Sequence, residues 1–297
     1  MPSITLFTAP KAFTDPNVAL IQRNAIASWT RLPEAEVILL GDESGLAQVA
    51  RELGVQHIPE VRRSAMGTPL ISSMFDLARR NSDSPLLAIV NADILLFPDL
   101  VAAARAVASR HQRFVLMGRR WDLDVIAPLD FSPNWESRLR ETARSAGSLH
   151  RPTGSDYFLF PRDCYADVPE FAIGRAGWDN WMIYRARRAG WPAIDATQDV
   201  MIIHQNHDYA HLPGGRPHYD HPETAQNVRL AGGRAVTRFT LLDTDRRLVD
   251  GHVRRQPFEP VRFLRALEAY PLLAWDNARL SELIWRYSHR WRNRLSP

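Results

Sequence analysis

The sequence predicts an α/β fold: a mostly parallel sheet flanked by helices, followed by a smaller irregular and helical C-terminal extension. Three observations carry that expectation. Short β-rich runs alternate with amphipathic helical stretches through the first half, which implies parallel strands joined by right-handed crossovers. The most apolar run, Leu86–Val90, has no in–out alternation, as expected of a central strand covered on both faces. With 297 residues, 45% apolar and 24% charged, the chain has the composition of a globular domain large enough for one sizeable core.

The first strand is expected at residues 4–9. Asp15 as N-cap and Pro16 at the first helical position then open a helix whose Val18, Ile21, Ala25, Trp29 and Leu32 share one face. Residues 36–40 read as a strand closed by Gly41 and Asp42, followed by a short helix ending at Gly54 and a strand at 55–58. Thr68 and Pro69 repeat the cap-and-proline start, with Leu70, Met74, Leu77 and Ala78 as the inward stripe. After Leu86–Val90, Pro98 starts a helix running to residue 108, and 114–117 is again a strand. Farther on, 157–160 reads as strand, 180–188 as helix and 193–203 as one or two strands. Between 206 and 256 Gly, Pro, His and Asp dominate, which predicts loops and a small hairpin. Helical spacing returns at 263–267 and in Leu280, Ile284, Tyr287 and Trp291. The expected organisation is a core over residues 1–211 and an extension over 212–297 packed on it.

Composition removes several classes. No apolar stretch approaches the roughly 20 residues that span a bilayer, and the first residues read as a strand rather than a signal peptide. The single cysteine, Cys164, cannot form an internal disulfide, which fits a reducing cytoplasm. The net charge of +4 is carried by arginine and thickens in the last fifty residues. That excess suits a diphosphate ligand or an anionic membrane surface, and it is too dispersed to indicate nucleic acid. The Arg- and Trp-rich tail, including Trp285, Arg286, Arg290 and Trp291, either makes a peripheral membrane contact or docks on the protein's own core. Docking on the core is the expectation.

Parallel sheets bind ligands beyond the carboxyl ends of their strands, so chemistry is expected after Ala9, Leu40 and Val90. Asn91-Ala92-Asp93 follows the apolar strand, Gly177-Trp178-Asp179 precedes a helix, and His204 ends the run Asp199 to His204. Taken singly, Asp93 is a turn residue, Asp179 a helix cap and His204 a structural histidine. In that order along the chain they resemble the GT-A nucleotide-sugar glycosyltransferases, in particular family-two-like and galactosyltransferase-like inverting enzymes. The resemblance spans residues 4–211.

It implies that Asp93 and His204 ligate Mn²⁺ or Mg²⁺ bridging the phosphates of a nucleotide-sugar donor, a UDP-sugar by preference. It implies also that Asp179 is the base that activates the hydroxyl of a saccharide or glycoconjugate acceptor. Asn91 departs from the family's usual aspartate and would touch the ribose. Thr8, Ala9, Pro10, Asp42 and Arg62 fall where nucleotide contacts are expected. Asp156 falls where a sugar is held, and Trp178 and Trp181 would offer ring faces to one.

Two other readings stand beside this. His204, His207, Asp208, His211, His218, Asp220 and His221 are dense enough for a zinc hydrolase, although the prolines and glycines among them oppose a helical zinc motif. Asn91 supports a GT-A fold that binds without catalysing. Nucleotidyltransferases are set aside because Thr8-Ala9-Pro10-Lys11 stands where their glycine-rich loop would be.

Overall fold

The computed structural model describes residues 3–207 and 221–295. Its elements are β1 (Ile4–Thr8), α1 (Pro16–Trp29), β2 (Ala35–Leu40), α2 (Leu46–Leu53), β3 (Gln56–Ile58), α3 (Ile71–Arg80), β4 (Leu86–Val90), β5 (Ile94–Leu95), α4 (Asp99–Ala108), β6 (Val115–Met117) and β7 (Arg120–Leu123). There follow α5 (Trp135–Ala146), β8 (Ser148–Leu149), β9 (Tyr157–Pro161), α6 (Trp178–Arg188), β10 (Ala193–Asp195), β11 (Ile202–Gln205), α7 (Pro222–Leu230), β12 (Arg246–Val249), β13 (His252–Arg255), α8 (Pro260–Trp275) and α9 (Ala278–Leu295).

Nine strands form the main sheet in the order β13-β12-β10-β6-β9-β4-β1-β2-β3. Every pairing is parallel except those of β9 with β4 and β6 and of β12 with β13. The expectation of a mostly parallel α/β sheet therefore holds. β4 lies inside the sheet with all five residues buried, as its unbroken apolar run requires. Helices cover both faces: Phe7, Ile38, Phe75, Phe158 and Met182 pack in one apolar cluster, and Leu6, Leu39, Ile26, Ala88 and Leu100 in the other. A second sheet of four short strands, β5-β11-β7-β8, stands at the carboxyl end of β4.

Local chemistry accounts for several boundaries. Asp15 caps α1, its carboxylate accepting from the backbone N–H groups of Asn17 and Val18 at 2.9 Å each. Gly54 ends α2 in the left-handed region. Thr68 and Pro69 do not start α3, contrary to the pattern: Pro69 and Leu70 pair with Arg63 and Ala172 in isolated bridges, and the helix begins at Ile71. The Thr68 hydroxyl donates to Glu223 instead (2.8 Å).

The hairpin expected between 206 and 256 is β12–β13, but that stretch also contains α7, opened by His221 and Pro222. The segment after residue 211 thus supplies β12 to the main sheet beside β10, and β13 as its edge. Among the described residues no helix is long and apolar enough to cross a membrane.

Candidate metal and donor site

Strand register builds the site. β11 runs parallel to β7 with His204 opposite Asp122, and antiparallel to β5 with His204 opposite Ile94. This sets the imidazole of His204 beside Asp93, just past β4. His204 Nε2 lies 3.6 Å from Asp93 Oδ2, and His207 Nε2 lies 3.1 Å from the same oxygen. Asp93 Oδ1 is buried and has no hydrogen-bond partner among the described residues. Burial pushes the Asp93 carboxyl up, but the two imidazoles outweigh it and hold the group well below the usual carboxylate range.

A carboxylate and two imidazoles whose donor atoms all lie within 4.8 Å of one another can hold a divalent cation. The unpartnered Asp93 oxygen is what such an ion would satisfy. Two imidazoles suit Mn²⁺ better than Mg²⁺, which prefers oxygen.

Asp122 stands behind this set. Its Oδ1 is 3.2 Å from His204 Nδ1 and accepts from Arg120 Nε at 2.8 Å, while Oδ2 meets His150 Nδ1 at 2.7 Å. His204 Nδ1 is buried and makes no hydrogen bond among the described residues, so Asp122 faces it as a nearby negative charge. Burial pushes Asp122 up, and His150 and Arg120 bring it below its ordinary value.

A second carboxylate centre adjoins the first. The β4–β9 register places Val90 opposite Tyr157, so Asn91 and Asp156 extend the ladder by one step. The Asn91 N–H donates to the Asp156 carbonyl (2.9 Å), and the Asn91 amide donates to Asp156 Oδ1 (3.0 Å). Arg120 Nη1 also donates to Oδ1 (2.8 Å). Asp156 is 5% exposed, and its Oδ2 is buried without a hydrogen-bond partner among the described residues.

Asp179 lies in the first turn of α6. Lost hydration raises its carboxyl above the ordinary value and repulsion from Asp156 adds to this, while backbone N–H groups of Asn180 and Gly177 pull it back. The glycine before it is required, because Gly177 has φ 110° and a Cβ there would stand 3.3 Å from Thr237 Cγ2.

The loop after β1 carries Lys11. Its backbone is gripped by Gln22, which accepts from Lys11 N (2.7 Å) and donates to Lys11 O (2.9 Å). Desolvation lowers the Lys11 ammonium, Asp93 opposes that, and Arg175 reinforces it. Arg175 itself is held by Glu223 of α7 (3.1 Å), which also accepts from Ser64 and Thr68.

The other expected contacts fall as follows. Thr8, Ala9 and Pro10 close β1 beside Asn91, since β1 and β4 are parallel neighbours with Phe7 opposite Ile89. Thr8 is 1% exposed. Asp42 is an ion-pair partner of Arg63, which also binds Glu43 at 2.9 Å. Arg62 is turned to the surface, to Glu170 (2.6 Å) and Ser72 (3.3 Å); Arg63, not Arg62, closes on the loop after β2.

Trp178 and Trp181 correct the expectation of sugar platforms. Each is 6% exposed, and they pack on Phe158 and Phe171 in the core. Their helical spacing is that of a buried stripe. The residues of the zinc-hydrolase reading divide, and that reading is not favoured. His204 and His207 gather on Asp93, whereas His221 Nδ1 accepts from Glu223 N as the cap of α7. Asp208, His211, His218 and Asp220 lie outside the described residues. His207 stands in the sequence as His-x-x-His with His204, a spacing that suits the zinc reading equally. Asp122, Arg120 and His150 carried no motif, because only the pairing of β7 with β11 and β8 brings them together.

No family model matches the chain, and no curated protein matches it. Solved structures to which it is similar include GT-A glycosyltransferases. One is a mannosyltransferase from Pyrobaculum calidifontis in complex with GDP-Man and Mn²⁺ (16% identity, TM-score 0.48, over 97% of this chain and 75% of that one). Another is glucosyl-3-phosphoglycerate synthase from Mycobacterium tuberculosis in complex with Mg²⁺ and uridine-diphosphate (14% identity, TM-score 0.47, over 87% and 88%).

Proposed function

We propose that this protein is a glycosyltransferase that moves a sugar from a nucleoside-diphosphate donor to a hydroxyl of a saccharide or glycoconjugate acceptor, with inversion. The observation that carries the reading is the convergence beyond β4 of Asp93, with a buried unpartnered oxygen, and the imidazoles of His204 and His207. Asp93, His204 and His207 would hold the divalent cation, which when bound neutralises charge on the diphosphate leaving group.

The chain's own residues supply the rest. Thr8, Ala9, Pro10 and Asp42 edge the space for base and ribose, with a UDP-sugar as the favoured donor. Arg120 and Asn91 fix Asp156 so that its unpartnered Oδ2 can accept from a sugar hydroxyl. Asp179, raised by burial and by Asp156, takes the proton of the attacking hydroxyl. The single, buried Cys164, its thiol pushed up to about 11, accords with a reducing, cytoplasmic setting.

The test is thermal unfolding with UDP, GDP, ADP and CDP, each with and without Mn²⁺, followed by nucleotide release from the matching sugars. Donor product at about a hundred times its dissociation constant should add roughly 2.7 kcal/mol, and only with the metal present. No shift with any of the four would overturn the donor assignment.

A further inference from the structure

We infer that the α8–α9 hairpin is a docking face for an anionic lipid bilayer, a role separate from the site beyond β4. Each helix has one face committed to the protein. α8 buries Arg265, Glu268, Ala269 and Leu272, and α9 returns Ser281 and Ser288 to Glu268 at 2.7 and 2.6 Å. What remains outward on both helices is a mixture of large apolar side chains and arginine. On α8, Phe263, Tyr270 and Trp275 are 50%, 55% and 61% exposed, and Phe258 just before the helix is 79% exposed. On α9, Leu283, Tyr287 and Trp291 recur every fourth residue at 49%, 74% and 66%. Exposed Arg279, Arg286 and Arg290, seven and four residues apart, fall on the same side of the helix.

Charge selects the occupant. α9 holds five arginines (279, 286, 290, 292 and 294) against one acid, Glu282, a surplus equal to the +4 of the whole chain. The rest of the molecule is therefore balanced, and the cationic excess is gathered on one helix. A second copy of this face would bring two such surpluses together, which opposes self-association. Trp and Tyr with arginine between them suit a lipid–water boundary, where rings sit among the headgroups and guanidinium groups meet anionic phosphates. The face also has depth. Phe258, Phe263, Tyr270 and Leu273 line the outer side of a recess of about 320 Å³ against the turn before β12, and Arg187, Asp243, Asp245, Glu259 and Arg262 also line it.

The experiment is co-sedimentation of the full chain with vesicles of phosphatidylcholine alone or mixed with phosphatidylglycerol, with the protein's mass in free solution measured alongside. Partition onto the mixed vesicles should exceed that onto phosphatidylcholine by at least about tenfold and fall as salt is raised. Two variants should each lose at least about fivefold of that binding, Tyr287→Ser with Trp291→Ser through apolar area and Arg286→Gln with Arg290→Gln through charge. Both should unfold at the parent temperature and keep the same response to nucleotide and Mn²⁺. Equal partition onto both vesicle types, or none, overturns the inference. So does a dimer in free solution that Tyr287→Ser disperses, which would assign the face to a second copy of the chain.

Discussion

Asn91 stands where an aspartate would face a carboxylate. Its amide donates to Asp156 Oδ1, so an acid at 91 would place like charges across the gap that the amide bridges at 3.0 Å. Asn91 is thus matched to Asp156, and under the proposed function His207 would supply a further metal ligand. His207→Ala should weaken Mn²⁺ binding, read by titration calorimetry, as much as His204→Ala does. Asp122→Asn should weaken it by about ten- to a hundredfold by removing the negative charge that backs His204. Asp179→Asn should fold, bind nucleotide normally and lose at least about a hundredfold in turnover, because the amide cannot accept a proton. It should also be more stable than the parent at neutral pH. A carboxyl raised by burial disfavours the fold when ionised, so the advantage should shrink as pH falls through the raised folded value toward the ordinary aspartate range. Denaturant titration at several pH values checks the sign. Normal turnover in this variant would remove Asp179 from the mechanism.

Among the elements, α7 does the most for the proposed base. Asn227, fully buried, accepts from Ala172 N (2.9 Å) and donates to Ala172 O (3.0 Å), pinning the loop that runs through Gly177 into Asp179. Asn227→Ala strands a buried amide and carbonyl at Ala172. It should cost about 1–3 kcal/mol in chemical denaturation and lower turnover more than nucleotide affinity. A variant with parent stability and parent turnover would refute this. α7 was not legible, since residues 206–256 read as loop from their Gly, Pro and His, and its helix is set by the buried Asn227 and Glu223 rather than by an apolar stripe. β7 and β8 were not legible either, because Arg120 and Asp122 alternate as polar residues on a strand stabilised only by its neighbours. By contrast α1, with a side-chain cap and a continuous stripe, and β4, buried on both faces, were readable because their signals are local. Asp93, Asp156, Asp179 and His204 stand out in the sequence for a related reason: each sits near an element's end, where sequence marks the boundary.

Across the whole molecule, the C-terminal hairpin is fastened by a buried ion cluster. Arg265 reaches Asp243 at 2.8 Å and Glu268 at 2.5 Å, with all three side chains at most 4% exposed. Burial lowers the Arg265 guanidinium and the two acids more than restore it. Arg265→Met leaves two acids in a dry pocket and should destabilise the fold by about 3–5 kcal/mol at neutral pH. Thermal unfolding would show it, and an unchanged midpoint would mean the cluster contributes nothing net.

Lys11 is the sole lysine of the chain, the other 36 of its 37 lysine and arginine side chains being arginine. The grip of Gln22 on its backbone therefore has a practical corollary. Amine-directed reagents find one ε-amine, fixed in the loop after β1 and within electrostatic reach of Asp93. A fluorophore or crosslinker attached there reports on the proposed donor site without engineering, and the rate at which occupied and empty protein acquire the tag reads ligand occupancy by mass spectrometry alone.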